Sequence, residues 1–268
     1  MRSDPAVGVV AALLLTVGTV AQAAPGDGRA VSGAVTLIGQ YGPDYLGASD
    51  SGASLRPGLY LRWGRVSVSS GAGWAARRQD TEIRGLGIDL AHSDAFDLSL
   101  GLRSDSGRSD DSSPALAGMG DVKRTIRARI GATWRFAPDW ALSANWTVDA
   151  FNRGGGNLID AKLQHERTLS PRLHLTSGMS LSAGGPRYMQ TYHGVTAEQS
   201  AATGYPEYKP GTSLRDLQLF TSLRVDIGDD WVGVLGIGFT RTLGDVTDSP
   251  LTTRPNAFSL STGIGWRF

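Results

Sequence analysis

Residues 256–268 read Asn256-Ala-Phe-Ser-Leu-Ser-Thr-Gly-Ile-Gly-Trp-Arg-Phe268, NAFSLSTGIGWRF in one-letter code. Phe258, Leu260, Ile264, Trp266 and Phe268 share one parity, and Ser259, Ser261, Gly263, Gly265 and Arg267 share the other. Successive side chains of a strand point to opposite faces, so this period of two describes a strand with one apolar face and one small or polar face.

The same pattern recurs upstream. Val66, Val68, Ala72 and Trp74 alternate with small or polar residues, as do Phe96, Leu98, Leu100 and Leu102. Ile126, Ala128, Ile130, Ala132, Trp134 and Phe136 interleave with Thr125, Arg127, Arg129, Gly131, Thr133 and Arg135. Further runs lie at 140–150, 173–181, 217–227 and 231–243, with weaker ones at 30–40, 58–63, 82–90 and 157–169. The sum is about twelve strands, most near the ~10 residues that cross a membrane at a tilt.

The connections alternate between two classes. Trp63-Gly-Arg65, Ala91-His-Ser-Asp94, Ala137-Pro-Asp139, Ser170-Pro-Arg172 and Gly228-Asp-Asp230 are tight turns built from turn-forming residues. Between them fall the connections at 41–57, 79–81, 104–120, 152–156, 184–213 and 244–255, most of them much longer. Trp63, Phe96, Phe136, Trp140, Trp231 and Phe268 sit beside the short turns, where an interfacial aromatic girdle belongs. Short turns on one side, long loops on the other and an even strand count together predict an all-β fold: a transmembrane antiparallel outer-membrane β-barrel with periplasmic turns and extracellular loops. A soluble sandwich also alternates, but it rarely carries so many arginines on strand faces.

Composition is consistent with this. The 268 residues include 36 Gly and no Cys, which excludes a disulfide framework, thiolate catalysis and cysteine metal sites. A net charge of +1, from 26 basic and 25 acidic residues, argues against a nucleic-acid partner. Arg2, the apolar run Ala6 to Val20 and the small-x-small triplet Ala21-Gln22-Ala23 read as a cleavable export signal. The expected division is a signal peptide at 1–23 and one barrel domain at 24–268, placed in the bacterial outer membrane and in contact with its lipid. No later stretch reaches the apolar length of a membrane helix.

On this reading Ile264, Trp266 and Phe268 form the assembly signal of a membrane strand that ends on an aromatic. By strand parity Arg103, Arg127, Arg129, Arg135 and Arg224, opposed by acids including Asp149, are the candidate lumen-lining charges. Mixed charges of this kind either line a narrow pore or pair into a network that closes it. An enzyme has little to work with. Of four histidines, His92, His165 and His174 fall at or near the short turns and His193 in a long loop, where it reads as solvated rather than as a base paired with Glu198. Gly154-Gly-Gly156 and Gly236-Ile-Gly238 lack the continuation of a phosphate-binding loop, and the aspartates at 44, 50 and 105–111 lack calcium-loop spacing. No cofactor or metal is expected.

Arg187-Tyr-Met-Gln-Thr-Tyr-His-Gly-Val-Thr-Ala-Glu-Gln-Ser-Ala-Ala-Thr-Gly-Tyr-Pro-Glu-Tyr208 resembles the signature loop of the MipA/OmpV family of outer-membrane proteins, with Arg187, Tyr188, Met189, Gln190, Tyr192, Gly194, Tyr205 and Pro206 as its marked positions. Tyr41 to Asp50 and Leu243 to Pro250 resemble family stretches as well. The resemblance implies a barrel whose best-known member is a non-enzymatic scaffold joining a lytic transglycosylase to a bifunctional penicillin-binding peptidoglycan synthase. The charged inner faces suggest the alternative, a channel for small solutes.

Overall fold

The computed structural model describes residues 31–76 and 85–268. The expected signal peptide and the connection placed at 79–81 lie outside the described residues. Twelve antiparallel strands close into one barrel: β1 (Val31–Pro43), β2 (Ser51–Trp63), β3 (Val66–Ser69), β4 (Gly85–His92), β5 (Phe96–Asp105), β6 (Thr125–Ala137), β7 (Trp140–Asp149), β8 (Asn157–Ser170), β9 (Leu173–Gly184), β10 (Ser213–Ile227), β11 (Trp231–Thr242) and β12 (Asn256–Arg267). Each strand pairs with its sequence neighbours, and β12 returns to β1 with Ala34 opposite Arg267 and Tyr41 opposite Leu260. Among the described residues no helix is long and apolar enough to cross a membrane. Closure gives every strand a partner on both sides, which is how a sheet can live in hydrocarbon, with β3 pairing β2 over Tyr60–Trp63 and β4 over Gly85–Ile88.

The side chains on the outer wall follow the parity of the sequence. Phe258 is 75% exposed, and Leu260, Ile264 and Phe268 are exposed beside it on the outward face. Trp63, Phe96, Phe136, Trp140 and Trp231 also point outward beside the short turns. In a soluble protein such a belt of exposed apolar side chains would be a liability; in a barrel it meets lipid.

Two boundaries differ from expectation. The first hairpin is longer: β1 and β2 pair through to Pro43 and Ser51, which leaves a seven-residue connection, 44–50. The rim residues there include the exposed Tyr41 and Leu55 beside Gly52, Ser51 and Ser54. The second difference is larger. The alternation through Ala72 and Trp74 predicts a strand from 66 to 74, yet β3 stops at Ser69 and the chain turns inward as a short helix, α1 (Gly73–Ala76). Ala72 and Ala75 pack with Ala34, Tyr60 and Val232 in a small core inside the barrel. Glycines on the facing inner wall make the room. A Cβ on Gly58 would lie 3.0 Å from the Ala72 Cβ, one on Gly265 2.9 Å from the Ala75 Cβ, and one on Gly263 3.3 Å from the Trp74 ring. The period of two at 66–74 therefore spans two settings: Val66 and Val68 face outward on β3, whereas Ala72 and Trp74 pack against other residues within the lumen.

At the opposite end the long connections fold over the mouth. Helix α2 (Pro186–His193) starts on Pro186, whose fixed φ suits a first helical position. Helix α3 (Ala197–Thr203) is opened by a Thr196/Gln199 capping box and closed by Gly204 at φ 78°. Helix α4 (Gly244–Thr247) follows β11. Leu116, Met119, Val195 and Leu251 form one core within these loops, and Leu158, Tyr188, Met189 and Val246 form another.

Candidate functional site beneath the outer lid

The three stretches that carry the family resemblance meet in one lid. The Tyr45 hydroxyl donates to the Leu251 carbonyl at 2.9 Å, the Ser249 hydroxyl to the His193 carbonyl at 2.6 Å, and the Tyr208 hydroxyl to the Asp245 carbonyl at 2.8 Å. Of the marked positions, Tyr188 and Met189 are buried and Tyr192 is partly buried. Arg187 lies on the surface and donates to Asn152 Oδ1. The Gly194 amide donates to the Gln190 carbonyl at 3.1 Å, and a side chain at 194 would run into that carbonyl. Tyr205 donates to the Ala115 carbonyl at 3.1 Å, and Pro206 is exposed.

The lid is joined to the barrel by arginines. Arg127 on β6, only 1% exposed, pairs with Asp105 on β5, reaches the Tyr192 hydroxyl at 3.4 Å and lies 5.5 Å from the Tyr188 ring centre. Arg215 on β10 pairs with Asp216, donates to the Tyr188 hydroxyl at 3.0 Å and lies 5.8 Å from the same ring. Arg108, from the β5–β6 loop, donates to the Tyr192 carbonyl at 2.8 Å. The Tyr188 and Tyr192 rings pack against each other, tilted by 30° with their centres 4.7 Å apart.

Sequence parity does not find Arg215. Strict alternation puts it outward, opposite in facing to Asp216, but the pairing of β10 with β9 slips between Leu214 and Asp216, and the bulge brings both side chains to the inner side. Arg108 lies in a loop, where parity has no meaning. His193 departs from expectation: it is 5% exposed at the end of α2, and burial together with the nearby charges of Arg215 and Arg108 pushes its pKa down to about 3. Glu198 lies on the exposed surface of α3, so the two do not form a base pair.

The remaining candidate charges sit in the wall, most of them with partners. Arg129 donates to Asn145 Oδ1 at 2.9 Å; Arg135 pairs with Asp97; Arg103 lies opposite Arg127 across the β5–β6 ladder. Asp149 accepts from the Thr125 hydroxyl and from the amides of Phe151 and Gly155, which ties down the β7–β8 loop. Arg224 donates to the Trp74 carbonyl at 2.5 Å and to Asp226 at 3.2 Å, holding α1 in place. Between α1 and the lid lies a cavity of about 720 Å³, where Gln40, Gln164, Thr176, Gln218 and Thr221 outnumber Lys162, Arg56 and Arg224. The open space is thus lined chiefly by amides and hydroxyls, while most of the arginines named from parity are engaged along β5–β7.

Comparison with known proteins adds the family. The family described as MltA-interacting protein MipA matches residues 35–268. The chain belongs to the MipA family. Relatives of this MipA-family barrel include YiaT of Escherichia coli (strain K12), named as an outer membrane protein, at 24% identity over 54% of this chain and 59% of that one. The MltA-interacting protein of the same organism is 25% identical over 56% of this chain and 59% of its own length. The chain thus spans about three fifths of the length of the relatives it matches. Among solved structures, the KdgM porin in complex with disordered oligogalacturonate aligns with a TM-score of 0.45 and 9% identity, covering 88% of this chain and 99% of that one. The Vibrio cholerae outer membrane protein OmpT aligns with a TM-score of 0.38 and 8% identity, covering 92% of this chain and all of that one. The MipA-family barrel is an outer-membrane protein.

Proposed function

We propose that the protein is a non-enzymatic scaffold at the outer membrane, embedded in its lipid after removal of residues 1–23, that docks a lytic transglycosylase and a penicillin-binding peptidoglycan synthase through its periplasmic turns. The observation that carries this reading is the helix α1, which occupies the lumen near the turn end and is held there by Arg224. A barrel with a segment of its own chain packed in its bore suits a docking role better than free diffusion. The family and the name of its Escherichia coli relative, MltA-interacting protein, support the transglycosylase as a partner. The surface available to a periplasmic partner includes the exposed turn aspartates Asp94, Asp139 and Asp229.

The test is capture from detergent-solubilised envelopes with the folded barrel as bait and an unrelated barrel as control. Enrichment of a lytic transglycosylase, lost when Asp94, Asp139 and Asp229 are all changed to Asn, supports the scaffold. Absence of enrichment with folded bait removes it. The second reading, a channel for small solutes, is favoured by the polar 720 Å³ cavity. It requires single-channel conductance that is sensitive to salt and to substitution of Arg56 or Lys162, which line that cavity.

A further inference from the structure

A separate chamber of about 330 Å³ lies just under the lid, bounded by Tyr45, Tyr188, Tyr192, His193, Arg108 and Arg215. Its charges do not cancel. Arg215 is matched by Asp216, which also lines the space. Arg108 has no carboxylate within ion-pair distance among the described residues; its Nη1 is spent on the Tyr192 carbonyl, and its Nε is buried without a hydrogen-bond partner. The groups that offset the burial of Arg108 are tyrosines. His193 stays neutral at any pH near 7 and supplies no further charge. The lining therefore sums to one positive charge, from Arg108 and Arg215 against Asp216.

A guanidinium cannot escape the cost of burial by losing its proton, so a cation facing an enclosed space needs either trapped water or an anion. Its planar fork matches a carboxylate better than it matches a single point charge. The walls supply the rest of such a site: phenol hydroxyls and a neutral imidazole for hydrogen bonds, and the rings of Tyr188, Tyr192 and Tyr45 as apolar lining for a flat or aliphatic body. We propose that this chamber binds a small organic carboxylate between Arg108 and Arg215. The inference stands apart from the scaffold reading, since it concerns the outer side of the barrel and needs no periplasmic partner.

The experiment is calorimetric titration of the full-length barrel, folded in detergent at low ionic strength, with succinate and with benzoate; benzamide is the uncharged control and inorganic phosphate the competing anion. Saturable binding of one of the carboxylates is expected, with none for benzamide. Arg108→Gln weakens it roughly ten- to a hundredfold, the worth of a hydrogen bond to a charged group. Tyr205→Phe, in the lid but outside the chamber, leaves it unchanged. The proposal fails if neither carboxylate saturates, if benzamide binds as well, if phosphate binds and the carboxylates do not, or if folded Arg108→Gln binds with wild-type affinity. Should Arg108→Gln not fold, the wild-type comparison of benzoate with benzamide decides alone.

Discussion

His193 shows how far one residue's environment overrides its sequence context. Read in a polar loop it is a solvated base; packed at the end of α2 beneath Ser249 and beside Arg215 and Arg108 it resists protonation. The sign of its effect on stability follows. Above its ordinary pKa of 6.5 the imidazole is neutral whether the lid is closed or open, so it imposes no penalty. Below 6.5 the open lid takes up a proton that the closed lid refuses until about pH 3, so closure weakens progressively across that window, by at most ~1.4 kcal/mol per pH unit. The protection of amides 186–193, their hydrogen-exchange rates corrected for the intrinsic slowing of exchange at lower pH, is expected to fall as pH drops from 6.5 towards 4, and His193→Gln to flatten that dependence. Equal pH profiles for the two proteins contradict the account. Arg215 teaches the complementary lesson: a one-residue bulge inverts facing, and alternation cannot show where a bulge falls.

At the scale of the element, α1 rests on two supports, a glycine cradle and the Arg224 guanidinium. Gly265→Val places a branched side chain where a Cβ alone would approach Ala75 and Thr36 to 2.9 Å, so the helix must leave its seat. Arg224→Ala removes charge-assisted bonds to the Trp74 and Ala75 carbonyls, each such bond being worth about 1.5–3 kcal/mol. Both variants are expected to raise conductance in planar bilayers while the barrel still migrates as a folded, heat-modifiable species. Conductance unchanged in both means that α1 does not limit passage. The apolar residues of 66–74 were legible in the sequence, but their partners were not. Period two marks a strand whether its apolar face meets lipid or, after the chain has bent inward, another part of the same protein.

At the scale of the whole molecule, the seam between β1 and β12 closes the barrel. Gly33 and Phe268 exchange backbone hydrogen bonds of 2.9 and 3.0 Å, and the Phe268 ring lies where a Gly33 side chain would otherwise stand. Phe268→Ala is expected to lower the yield of heat-modifiable barrel through loss of this outer packing, and Gly33→Val to lower it by collision with the ring. Refolding into detergent micelles, followed by gel shift, measures both. Wild-type yields in both would mean that the seam closes on backbone pairing alone. The strand count, the alternation of short turns with long loops and the outward face of nearly every strand were written in the sequence, because each depends on local period and turn chemistry. The inward turn at Ser69, the bulge that swings Arg215 into the barrel and the meeting of Arg108, Tyr188 and His193 were decided only by the tertiary structure. These features join residues as much as 150 positions apart, as Arg224 and Trp74 are, through burial and charge compensation, and neither leaves a period in the chain.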